Sequence, residues 1–122
     1  MVWNYKNLDV WRKSFDMIKM VYDVTAKFPR DEIYNLTSQL RRAVVSISSN
    51  IAEGCGRRTS KDFVGFLYMA LWSVKEVKNQ LLAAGELGYL EVGEVEKLVA
   101  EMGRIGRMLL GLIEHISKLS VK

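Results

Sequence analysis

The sequence predicts an all-α chain folded as an antiparallel, up-down-up-down four-helix bundle. Three observations carry this expectation. Apolar residues recur at alternating steps of three and four through four separate stretches, a spacing that suits helices and defeats strands. The 122 residues contain one proline, Pro29, so little interrupts long helices. The connections between the periodic stretches are short, which makes consecutive helices antiparallel neighbours. The length fits a single domain, residues 1–122, and no segment is rich enough in Gly, Ser or Pro to read as a linker.

The first stripe is Leu8, Trp11, Phe15, Ile18, Tyr22 and Thr25, which places a helix from about Asn7 to Lys27. It stops at Phe28-Pro29, because proline disfavours helical geometry in the residue before it and has no N–H to continue the ladder. A thinner row of Val10, Met17, Val21 and Val24 widens its apolar face. In the second helix the stripe is Leu36, Leu40, Ala43/Val44, Ile47 and Ile51. It starts near Leu36 with Asn35 or Thr37 as cap and ends at Gly54, which can take the left-handed conformation past a helix end. Its run Ser46-Ile47-Ser48-Ser49-Asn50 contains weak helix formers, so packing has to supply what propensity does not.

Ser60 as cap and Asp62 in the first turn open a third helix. Its stripe is Phe63, Phe66/Leu67, Ala70, Val74, Val77, Leu81 and Ala84, flanked by Val64, Tyr68, Leu71 and Trp72, and Gly85 and Gly88 mark its end. Acids between Glu91 and Glu96 suit the positive end of a fourth helix. There Val95, Leu98, Met102, Ile105, Leu109, Leu112, Ile116 and Leu119 keep an unbroken 3-4 alternation of the kind that packs at shallow crossing angles. Gly103, Gly106 and Gly111 interrupt it at a cost of about 1 kcal/mol each relative to alanine. Close approach of another backbone is the expected reason.

Several function classes find no support. The one cysteine, Cys55, cannot form an intramolecular disulfide or a Cys-based zinc cage, and a reduced, cytoplasmic setting is the default. It sits between Gly54 and Gly56 near Arg57 and Arg58, and with no base at hand it reads as an inert thiol in a turn. The one histidine, His115, directly follows Glu114, which breaks the Glu-x-x-His spacing of a di-iron bundle. No metal, cofactor, small-molecule substrate or catalytic residue is expected, and the chain reads as a non-enzyme. The segment after Met1 lacks the apolar core of a secretory signal, and the longest mostly apolar run, Phe63 to Val74, is too short to span a bilayer.

The formal net charge of +4 is unevenly spread: residues 1–61 carry eleven Lys/Arg against six Asp/Glu, and residues 62–122 seven against eight. Arg41, Arg42, Arg57, Arg58, Lys61, Arg104 and Arg107 are the candidate nucleic-acid-binding residues, with Arg104 and Arg107 three apart on one helix face. A solvated mixed-charge surface is the competing reading. Glu53 lies in the last turn of a helix, where the dipole disfavours an acid, so Arg57 and Arg42 are the cations expected to offset it. With Asn50 one turn earlier, Asn50, Glu53 and Arg57 form an expected polar junction between the second and third helices, buried or half-buried and structural rather than catalytic. The extra apolar rows point to self-association, with Val10, Met17, Val64, Tyr68 and Trp72 as candidate oligomer contacts.

The segment Thr37-Ser38-Gln39-Leu40-Arg41-Arg42-Ala43, continuing through Ser46-Ile47 to Asn50-Ile51-Ala52-Glu53-Gly54, resembles the signature of the small bundle proteins encoded in intervening sequences of bacterial 23S rRNA genes. Val10-Trp11, Arg57, Phe66-Leu67, Ala70, Ser73, Glu76, Gln80 and Arg107-Met108-Leu109 extend the likeness over nearly the whole chain. The resemblance implies a bundle fold, a bacterial source and a homo-oligomer, a pentamer, and implies little about activity. A more distant likeness in fold is to the accessory protein of diversity-generating retroelements, a basic pentamer that works with a reverse transcriptase. That likeness makes RNA, or a nucleoprotein such as a reverse transcriptase complex, the leading expected partner, with a protein scaffold as the alternative. Ser48 stands where proline is common in the family, and Cys55 where an aromatic is common.

Overall fold

The alternating apolar steps resolve into four long helices: α1 (Asp9–Thr25), α2 (Leu36–Cys55), α3 (Ser60–Glu86) and α4 (Val92–Leu119). The computed structural model describes residues 3–119, and among these there is no β-strand. Short 3-10 turns at Tyr5–Asn7 and Arg30–Glu32 precede α1 and α2. The backbone N–H of Trp3 donates to the Cys55 carbonyl, while the Arg41 side chain reaches Thr25, so α1 and α2 run in opposite senses. Gly54 meets Phe63 while Ser46 meets Ser73, and Gly85 meets Val95 while Gly106 meets Leu71, which makes α2/α3 and α3/α4 antiparallel as well. Contacts between α2 and α3 and between α3 and α4 are the most extensive, and α1 meets α4 least.

The interior of α2, α3 and α4 follows the predicted stripes. Leu40, Ile47, Ile51, Phe63, Leu67, Leu81, Met102, Ile105, Leu109 and Ile116 are all fully buried. Each such side chain contributes about 1.5–3 kcal/mol by leaving water, which holds the rods together against the entropy of the chain.

α1 departs from its expected orientation. The stripe Phe15 and Tyr22 faces outward, with Phe15 52% exposed, and the thinner row holds the core positions. Val10 and Met17, expected at an oligomer surface, are 4% and 2% exposed and belong to the interior with Val21. The inward face also carries Ser14, which a hydropathy pattern assigns to solvent, and Thr25, the one residue of the predicted stripe that is fully buried. Their hydroxyls donate to the carbonyls of Val10 and Val21, each at 2.7 Å, so neither is buried unsatisfied.

The helix ends show which local chemistry operates. α2 has no side-chain cap from Asn35. Instead Glu32 Oε1 accepts the Leu36 N–H at 3.3 Å and the Asn35 amide at 3.1 Å, and Glu32 Oε2 accepts the Tyr89 hydroxyl at 2.7 Å. Thr59, one residue before the predicted cap, accepts the Asp62 N–H and starts α3. At the far end of α3 the N–H of Tyr89 donates to Ala84 and that of Gly88 to Gly85, a Schellman closure that needs the positive φ of +79° at Gly88.

Gly54 is not a left-handed terminator. It lies inside α2, where an added Cβ would stand 2.9 Å from both Phe63 Cδ1 and Phe66 Cβ, so it permits the close crossing of α2 and α3. Gly85 does the same against Val95, at 2.8 Å from Cγ2. The α4 glycines do not: an added Cβ has only ordinary contacts at Gly103 and Gly106 and none at Gly111.

The weak helix formers of α2 are held by bonds as well as packing. The Ser46 hydroxyl donates to the Ala43 carbonyl at 2.7 Å and lies 2.6 Å from the Ser73 hydroxyl, and the Asn50 amide donates to the Ser46 carbonyl at 2.9 Å.

Candidate functional site

The predicted polar junction at Asn50, Glu53 and Arg57 does not form a buried network. Glu53 and Arg57 make a 2.7 Å ion pair one turn apart, with side chains 58% and 43% exposed, while Asn50 bonds back into its own helix. The guanidinium lies 4.6 Å above the Phe66 ring, so Arg57 stacks along α3 and offsets the Glu53 charge at the helix end from outside. Arg42 makes no ion pair with Glu53 or with any other described carboxylate. The junction stays at the surface because Ile47, Ile51 and Gly54 already fill the inward face of this part of α2, leaving Glu53 to solvent.

The seven candidate basic residues occupy several surfaces rather than one. Arg41 and Arg42 line an open cavity of about 580 Å³ over α2, together with Tyr22, Ile33, Ser38, Val45, Ser46 and Ser49. No acid lines it. Arg41 is held rigidly there: its Nε donates to Thr25 Oγ1 at 2.9 Å and its guanidinium sits 4.5 Å from the Tyr22 ring centroid. With Nε committed, the terminal Nη pair remains for a planar acceptor such as a carboxylate or phosphate. The exposed Tyr22, misassigned to the core by periodicity, thus acquires a role as the platform for Arg41.

Arg57, Arg58 and Lys61 lie exposed at the α2–α3 turn. Arg104 and Arg107 do not share a groove. Arg104 faces α1 in an open cavity of about 700 Å³ lined also by Asp9, Trp11, Arg12, Lys13, Phe15, Asp16 and Met108, whereas Arg107 faces α3 beside Lys75 and Lys78. A spacing of three rotates the two side chains by some sixty degrees, enough to send them to opposite flanks of α4. Sequence reasoning missed Lys75 and Lys78; their spacing of three on α3 was visible, but only packing brings them to Arg107.

Of the predicted oligomer contacts, Tyr68 and Trp72 are 41% and 62% exposed and Val64 is half-buried. Beside them Met69 is also exposed, as is Leu82 further along α3, and on α1 Trp11 stacks on Phe15 with centroids 4.8 Å apart. Cys55 is buried, and burial pushes its thiol up to about 11, the reverse of an activated nucleophile. His115 is exposed, edge-on to Trp3. Among the described residues no cluster of His, Cys, Asp or Glu could hold a metal ion, and no helix is long and apolar enough to cross a membrane.

No curated protein matches this chain. A solved structure of a protein with unknown function, from the S23 ribosomal protein family of Bacteroides thetaiotaomicron VPI-5482, is similar with a TM-score of 0.79 at 21% identity. The match covers 85% of this chain and 97% of that one, and it bears on the fold alone. The description that fits the sequence itself is "23S rRNA-intervening sequence protein", over residues 6–111. That span holds the Arg41-Arg42 cavity, the Gly54 crossing and the packed faces of α2 and α3, and by it the chain belongs to the 23S rRNA-intervening sequence protein family.

Proposed function

We propose that this chain is a non-catalytic, cytoplasmic homo-oligomer, a pentamer, that binds RNA through phosphate contacts, alone or within a nucleoprotein such as a reverse transcriptase complex. The observation that carries the reading is the acid-free cavity over α2, where two guanidiniums and three serines share one opening and Arg41 is preset by Thr25 and Tyr22. Two cations without a carboxylate partner attract a polyanion, and fixing one guanidinium in advance reduces the entropy lost on binding. Contacts of this kind position a backbone and read little sequence. The test is Arg41→Glu with Arg42→Glu, measured against structured RNA over a range of salt while light scattering follows the assembly. Affinity should fall, and the slope of log affinity against log salt should shrink by about 0.7–0.9 per lost phosphate contact. Unchanged affinity in an intact oligomer removes the idea.

A second reading, a scaffold for another protein, is favoured by the exposed Trp72 and Tyr68 on α3. Aromatic side chains left in water beside Met69 are typical anchors of a protein interface. A partner that stays bound through nuclease treatment and high salt, and is lost in Trp72→Ala, favours the scaffold over RNA.

A further inference from the structure

The groove between α3 and α4 gathers positive charge that the sequence scatters. Lys75 and Lys78 stand one turn apart on α3, and Arg107 reaches back along α4 toward Gly103. A Cβ added at Gly103 would lie 3.6 Å from Arg107 Nη1 and 3.9 Å from Lys78 Nζ, so two cationic groups hang over one point. The two nitrogens are therefore separated by less than the Debye length of about 10 Å at 0.1 M salt, and their repulsion is only partly screened. With Lys75 they line a cavity of about 250 Å³ whose other walls are apolar: Leu71, Val74, Met102, Gly106 and Leu110. No acid lines this cavity, and none of the three cations pairs with a described carboxylate. Glu114 on the same helix is paired with Lys118.

We propose that Lys75, Lys78 and Arg107, over the floor left open by Gly103, form a phosphate-binding site. Three like charges held together without a counter-charge disfavour the folded state, and a phosphate offsets all three at once. Arginine supplies paired N–H donors and the lysines act as point charges, the combination that suits a phosphoryl group. The apolar wall behind them keeps water off one side and strengthens each contact. Phosphate can arrive as a free phosphate or as the backbone of RNA. The site does not depend on Arg41 or Arg42 and stands apart from the reading built on them.

The experiment titrates the full chain with inorganic phosphate at constant ionic strength, following the Gly103 amide and the Arg107 Nε by NMR. A saturable shift centred on these two groups is expected. Lys78→Gln should weaken it roughly tenfold or more, the loss of one charge-assisted hydrogen bond, and Lys78→Gln with Arg107→Gln should abolish it. Gly103→Glu, which starts a carboxylate from the same point, should fold at least as stably and no longer respond. A response that never saturates, or one equally strong in the double variant, overturns the proposal. A short single-stranded RNA without a terminal phosphate separates the sources: a Gly103 shift lost in the double variant assigns the site to backbone phosphate, and a shift with inorganic phosphate alone assigns it to a free phosphate. Arg41→Glu with Arg42→Glu must leave the phosphate response intact, so failure of the α2 reading and failure of this one are told apart.

Discussion

Gly54→Ala isolates the contact on which the α2–α3 crossing rests. The new methyl would sit 2.9 Å from Phe63 Cδ1, 2.9 Å from Phe66 Cβ and 3.3 Å from the Phe63 carbonyl oxygen. Phe63 is 1% exposed and wedged in the core, so it cannot swing aside, and the third contact is with backbone. Overpacking of this kind costs about 1–3 kcal/mol, and the better helix propensity of alanine offsets about 0.8–1 kcal/mol of it. A net loss of up to about 2 kcal/mol follows, and each kcal/mol lowers Tm by about 3–6 °C in a chain of this size. Two internal controls sharpen the measurement. Gly111→Ala meets nothing within 4 Å and should stabilise by about 0.5–1 kcal/mol through propensity alone. Gly85→Ala meets Val95 Cγ2 at 2.8 Å, but Val95 is only half-buried near the start of α4 and can yield, so its effect should fall between the two. Thermal unfolding by circular dichroism ranks the three variants. Gly54→Ala melting at or above Gly111→Ala would refute the claim that this glycine makes room for α3.

Three further outcomes are expected. Tyr89→Phe should move the Glu32 titration, read by NMR, upward toward its ordinary 4.5: the Tyr89 hydroxyl, then the Leu36 N–H, hold that carboxyl low. Because its folded value is depressed, Glu32 contributes stability above its ordinary titration range that is lost as pH falls through the folded value, and Tyr89→Phe should narrow that acid margin. Ile105→Ala should cost about 2–5 kcal/mol in chemical denaturation, whereas Leu110→Ala, five residues on but half exposed, should stay within about 0.5 kcal/mol, and equal losses would contradict the orientation of α4. Phe15→Glu with Trp72→Glu should reduce the particle mass in light scattering without lowering helix content, since both side chains lie outside the core, and an unchanged mass would locate self-association elsewhere.

Periodicity alone determined the number of helices, their approximate limits and most inward residues of α2, α3 and α4, because on each of those helices one apolar stripe runs unbroken along most of the length. It also determined that the first helix stops before Pro29 and that Gly88 closes α3, since both act through local backbone geometry. Two helically spaced rows compete on α1, and the outcome, with Val10, Met17 and Val21 inward beside a Ser14 bonded back to its own helix and Tyr22 outward under Arg41, is a fact of packing. The charge sites were still less legible. Arg104 and Arg107 are neighbours along the chain yet open onto different grooves, while Lys78 and Arg107, far apart in sequence, share one point over Gly103. Linear spacing records the angle of a residue around its own helix, and only the crossing of two helices decides which angles meet.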